Sequence, residues 1–77
     1  MRIRLYGRLA DAIAPEIERA AAGSTVGEVR RRLAADYAGA AQSLARSRAL
    51  IADRVVGDGQ PVCESDELEF LPPVSGG

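Results

Sequence analysis

The sequence predicts an α+β domain in which one main helix packs on a mixed sheet and a flexible Gly-Gly tail follows. Three features predict it. Residues 1–6 alternate apolar and polar, as a strand with one buried face does. Residues 26–38 carry an apolar stripe at helical spacing behind a capping signature. A last strand ending at Leu71 then gives way to Pro72-Pro73-Val74-Ser75-Gly76-Gly77, and prolines cannot donate to a sheet ladder. The expected organisation is a folded domain over 1–71 and an extended tail over 72–77.

In order, Met1, Ile3 and Leu5 share one face of the first strand, with Arg2, Arg4 and Tyr6 on the other. Gly7 ends it. Leu9, Ala10 and Ile13 make Arg8 to Ala14 a short helical segment, which Pro15 closes. Glu16 to Ala22 reads as an edge strand, although Ile17 is its only large apolar residue. Thr25 and Glu28 have the spacing of a capping box. Val26, Val29, Leu33 and Tyr37 form the stripe of a helix over about 26–38, with Gly39 as its stop.

Ala40 to Arg48 reads as helix or as loop. Leu50-Ile51-Ala52 and Arg54-Val55-Val56 read as two short strands or one bent strand around Asp53. Gly57-Asp58-Gly59 reads as a hairpin turn. It is not a phosphate loop, because no helix follows it. Pro61-Val62-Cys63 is extended and residues 64–67 form a polar turn. The last strand points Leu68 and Phe70 inward.

Composition narrows function. The chain has 77 residues, 47% hydrophobic and 27% charged, with a net charge of −1. That balance suits a globular domain and disfavours a nucleic-acid binder. Histidine is absent, which removes the commonest general base and metal ligand. One cysteine excludes an internal disulfide or a multi-cysteine zinc site. No apolar run approaches the roughly 18 residues of a membrane span, and no secretory signal follows Arg2 and Arg4. The expected location is the cytoplasm, with neither membrane nor nucleic acid as partner. All ten basic residues are arginine.

A catalytic constellation is not legible. Glu64, Asp66, Glu67 and Glu69 cluster, and a solvated turn is the preferred reading. Cys63 is preferred as a small buried hydrophobe over a redox or carrier thiol. Arg30-Arg31-Arg32 is preferred as a solvated helix face over a docking patch for an acidic partner. The tail carries more. A terminal glycine has no Cβ, so its carboxylate can enter a channel too narrow for other residues. Extended, residues 72–77 span about 20 Å at roughly 3.3 Å each, enough to reach another protein's active site.

The run Phe70-Leu71-Pro72-Pro73-Val74-Ser75-Gly76-Gly77 closely resembles the C-terminal signature of the small subunit of molybdopterin synthase, a sulfur carrier with the ubiquitin-like β-grasp fold. The resemblance extends over the chain in length and element order. Two places depart from the usual pattern: the Glu16–Ala22 strand is poor in branched residues, and Ala52-Asp53-Arg54 stands where an Asn-containing hairpin is common.

The resemblance implies that a ubiquitin-activating-like adenylyltransferase uses ATP to adenylate the Gly77 carboxylate. A sulfur donor then yields a thiocarboxylate. The large, catalytic synthase subunit accepts the tail, and the sulfur attacks a cyclic pterin precursor in molybdenum cofactor biosynthesis. Gly77 is then the reacting residue. Gly76 permits passage, Ser75 and Val74 line the channel, and Pro72 and Pro73 hold the tail off the sheet. Phe70 or Leu71 contributes to an apolar docking patch beside the tail. On this reading the chain is not an enzyme on its own, binds no cofactor or metal itself, and leaves the ATP and pterin sites to its partners. A carrier for thiamine, cysteine or transfer-RNA thiolation, or a ubiquitin-like protein modifier, remains the alternative.

Overall fold

The computed structural model describes residues 1–21 and 23–73. Its elements are β1 (Arg2–Leu5), α1 (Arg8–Ala12), β2 (Glu16–Glu18), α2 (Val26–Asp36), a 3-10 turn (Ala38–Ala40), α3 (Ala41–Arg46), β3 (Arg48–Ile51), β4 (Arg54–Val56) and β5 (Glu67–Leu71). The five strands lie in the order β2-β1-β5-β3-β4. β1 and β5 run parallel at the centre, while β1–β2, β5–β3 and β3–β4 are antiparallel. The alternation read in residues 1–6 sets the register. Ile3 pairs with Leu68 and Leu5 with Phe70. All four side chains are buried on the helix-bearing face, with Val26, Val29, Leu33 and Leu44 packed in the same core. This is the ubiquitin-like β-grasp arrangement. No described helix is long and apolar enough to cross a membrane.

The start of α2 follows from its sequence. The Glu28 amide donates to Thr25 Oγ1 at 3.3 Å, and the Thr25 amide donates to Glu28 Oε1 at 3.1 Å, closing the capping box. Two further helix amides are met from outside: Val26 donates to the Gln60 carbonyl and Gly27 to the Asp58 carbonyl, both at 2.9 Å. A Cβ on Gly27 would stand 3.0 Å from the Asp58 Cβ, so the loop needs glycine to come this close.

That contact corrects the reading of Gly57-Asp58-Gly59. The turn joins no pair of strands. It lays carbonyls over the N-terminus of α2, where unpaired amides need acceptors. The hairpin lies instead between β3 and β4, where Ala52 and Asp53 both take positive φ, 52° and 64°. A left-handed alanine costs about 1 kcal/mol, which the sequence does not advertise.

α2 also stops short of Gly39. Tyr37 leaves helical geometry, its amide still bonded to the Leu33 carbonyl at 2.8 Å, and Gly39 falls inside the 3-10 turn that leads into α3. Ala40 to Arg48, open between helix and loop, is mostly helix.

Candidate functional site

The tail leaves the sheet at a defined corner. β5 ends at Leu71, which pairs with Arg48 at the start of β3. Pro72 follows, half-buried, and Pro73 is exposed. Pro72 rests on the turn after β1: a Cβ on Gly7 would stand 3.1 Å from Pro72 Cγ. Gly7 takes φ 55° and ψ −128°, a conformation only glycine adopts readily. Arg46, Arg48, Leu71, Pro72 and Pro73 enclose an open recess of about 340 Å³. Val74, Ser75, Gly76 and Gly77, named from sequence as tail and reacting residues, lie outside the described residues.

Phe70 is a correction. It is fully buried and cannot meet a partner. Strand alternation explains this: Leu68 and Phe70 face the helices, while Glu67, Glu69 and Leu71 face the opposite side. The apolar residue available beside the tail is Leu71, 37% exposed. The register places it on one face with half-buried Leu50 and with Val55, which is 64% exposed. These three form an apolar area on the open sheet face next to the tail. Val55 was not singled out from sequence, because its side of the sheet depends on pairing with Leu50.

At the far end of that face, on β1, the charged groups are paired with one another. Arg2 and Arg4 each sit between Glu16 and Glu67, at 3.2 to 3.6 Å. The Tyr6 hydroxyl donates to Glu69, which holds its phenol above the usual value of 10 because the bond requires the proton.

Other candidates resolve differently from expectation. The acidic cluster is more than a solvated turn. Glu64 accepts from the Met1 ammonium at 2.9 Å and from the Ala21 amide at 2.7 Å, tying β1 and the segment after β2 to the last loop. Asp66 accepts from the Cys63 amide at 2.8 Å. Cys63 itself is exposed, with Sγ 3.1 Å from Ser65 Oγ, because its neighbour Val62 takes the inward position. Among the described residues no group of three His, Cys, Asp or Glu side chains could hold a metal ion.

The arginine run divides. Arg31 is exposed, as a solvated face requires. Arg32 donates to Ser24 Oγ at 2.8 Å. Arg30 is a brace. Its guanidinium donates to the Leu44 carbonyl, to the Ser47 carbonyl at 3.0 Å and to Ser47 Oγ at 2.7 Å, meets Asp58 at 3.1 Å, and lies over the Phe70 ring.

Comparison with known proteins agrees with this architecture. A family model described as the ThiS family matches residues 3–77. No curated protein matches. The solution structure of the Haloferax volcanii HVO 2177 protein is similar at 27% identity and a TM-score of 0.84, covering 99% of this chain and 84% of that one. The crystal structure of SAMP1 from Haloferax volcanii is similar at 21% identity and a TM-score of 0.75, covering 99% of this chain and 97% of that one. A crystal structure of H. volcanii small archaeal modifier protein 1 is similar at 19% identity and a TM-score of 0.71, covering 95% of each chain.

Proposed function

Because the chain belongs to the ThiS family of ubiquitin-like sulfur carriers, we propose that it is the sulfur-carrying small subunit of a molybdopterin synthase, with Gly77 as the reacting residue. The observation that carries this reading is the run Phe70-Leu71-Pro72-Pro73-Val74-Ser75-Gly76-Gly77, whose first two residues end the central strand of a β-grasp sheet. Pro72 seated on Gly7 and the apolar area of Leu50, Val55 and Leu71 support it, since a donor tail needs a fixed take-off point and a surface on which a partner can rest.

A carboxylate is a poor acyl donor and must be activated. A Gly77 carboxylate oxygen attacks the α-phosphorus of ATP in the activating enzyme, and pyrophosphate leaves. A persulfide of the sulfur donor then attacks the acyl carbon and expels AMP. A thiol cleaves the resulting acyl disulfide, leaving the thiocarboxylate and an oxidised donor disulfide. In the large subunit that sulfur attacks the pterin precursor. This chain supplies the acyl group and the docking surface, and its partners supply the ATP and pterin sites.

Intact mass tests the carrier chemistry. Incubation with ATP, the activating enzyme and the sulfur donor should add about 16 Da, the exchange of one oxygen for sulfur. Complementation tests the pathway: the gene should restore molybdoenzyme activity to a strain lacking the small subunit. Failure there, with the mass gain intact, would move the chain to thiamine, cysteine or transfer-RNA thiolation.

A second reading, suggested by the name of the similar H. volcanii small archaeal modifier protein 1, is attachment of the same activated glycine to partner lysines. Conjugates to lysine, formed without a thiocarboxylate form of the free chain, would establish it.

A further inference from the structure

We propose that the recess at the base of the tail binds carboxylates on an acidic segment of the protein that activates the tail. The proposal rests on the carrier reading and names the chemistry of its partner. Arg46 ends α3 and Arg48 begins β3. Ser47 between them is buried, its hydroxyl donating to the Leu44 carbonyl at 2.7 Å and accepting from Arg30. The corner is therefore rigid, and both arginines rise from it into the recess lined by Leu71, Pro72 and Pro73.

Both arginines are exposed, and neither side chain makes a hydrogen bond or ion pair among the described residues. Arg2 and Arg4, at the other end of the same sheet face, are each held by two carboxylates. The chain neutralises its cations there and leaves them open beside the tail. This is not general basicity, because the net charge is −1.

The walls select the ligand. Leu71 and two proline rings offer apolar contact, which suits the stems of protein side chains, and guanidinium groups recognise carboxylates with directed, charge-assisted hydrogen bonds. A polyanionic nucleic acid would meet the negative charge of the remaining surface. An acidic segment with an apolar neighbour satisfies both halves of the recess. It also orients the partner's active site along the tail, since Arg48 stands directly opposite Leu71.

The test measures ATP–pyrophosphate exchange by the activating enzyme, with the carrier varied at low and high salt. R46E/R48E should raise KM for the carrier about 10-fold with kcat unchanged, and should lose the salt sensitivity of the wild type. R46Q/R48Q should fall between, and carries the comparison if circular dichroism shows that the reversed variant is unfolded. An unchanged KM alongside an active wild type overturns the recess and leaves the carrier reading standing. A fall in KM would assign the recess to the chain's own terminal carboxylate, and also overturns it. Binding of ATP to the carrier alone, lost in R46E/R48E, would assign it to phosphate with the same result. A wild type that supports no exchange overturns the carrier reading, and this proposal with it.

Discussion

The guanidinium carbon of Arg30 stands 5.1 Å from the centroid of the Phe70 ring, on the side where α2 crosses the strand that leads to the tail. Its donors reach the Leu44 and Ser47 carbonyls at the end of α3 and the Asp58 carboxylate in the loop over α2. One side chain thus joins four parts of the fold. R30A should cost about 2–3 kcal/mol, since it leaves buried acceptors at Ser47 without their charged donor. For a domain this small, that is a fall of roughly 10–20 °C in Tm. R30K should recover only about 1 kcal/mol, because an ammonium lacks the planar fork. Urea unfolding of the two variants checks both values.

Gly7 and Pro72 form the joint from which the tail departs. G7A meets two obstacles, a positive φ and a proline carbon 3.1 Å from the new Cβ. The backbone obstacle is local, and the second depends on Pro72. We expect G7A to cost about 2 kcal/mol, and less by roughly 0.5–1 kcal/mol when P72A is already present. A double-mutant cycle by thermal unfolding measures the coupling. Strict additivity would show that Gly7 does not seat the tail.

Tyr6 should make stability fall in strong alkali. Its phenol is raised above 10, first by the hydrogen bond it donates to Glu69 and then by desolvation. A group whose folded value lies above its unfolded value stabilises fully below the unfolded value, here 10. That contribution is lost as pH rises through the folded value. In a Y37F background Tyr6 is the remaining tyrosine, and its ionisation can be followed by ultraviolet absorbance. E69A should bring the transition back toward 10, and no movement would show that the bond does not control the phenol.

How much of this was legible depended on distance along the chain. The capping box of Thr25 and Glu28 and the alternation of β1 are set by neighbours, and both read directly from the sequence. The brace at Arg30 was not, because its acceptors come from the end of α3 and the loop at Asp58, and the ring beneath it from β5. Val55 was missed for the same reason, since only its register with Leu50 turns it to the tail's side. Two strands around Asp53 were one of the two readings of residues 50–56, and the hairpin between β3 and β4 bears that one out. The positive φ of Ala52 is unmarked in the sequence, and the glycines at 57 and 59 drew a second hairpin reading to a turn that caps a helix. Phe70 was the resolvable case: its inward parity with Leu68 already argued against a docking role. The proposed reacting end rests on a motif read residue by residue, which needs no tertiary contact, and Val74 to Gly77 lie outside the described residues.

Two sulfur sites could account for a mass gain on this chain, and they differ in arithmetic. Exchange of oxygen for sulfur at Gly77 adds about 16 Da, whereas a persulfide on a thiol adds about 32 Da. Cys63 is the only thiol and it is exposed, so it competes for sulfur in any reaction with a persulfide donor. C63S should therefore keep the smaller gain and lose any larger one. Removal of Gly77 should abolish the smaller gain, because the activating enzyme would then meet a different terminal geometry. It should leave Tm within about 1 °C, since among the described residues every buried core residue lies at or before Phe70. Intact-mass spectra of the two variants beside the wild type decide the matter. A gain of about 16 Da that survived loss of Gly77 would overturn the terminal site, and its disappearance in C63S would mark it as oxidation of the thiol to a sulfenic acid.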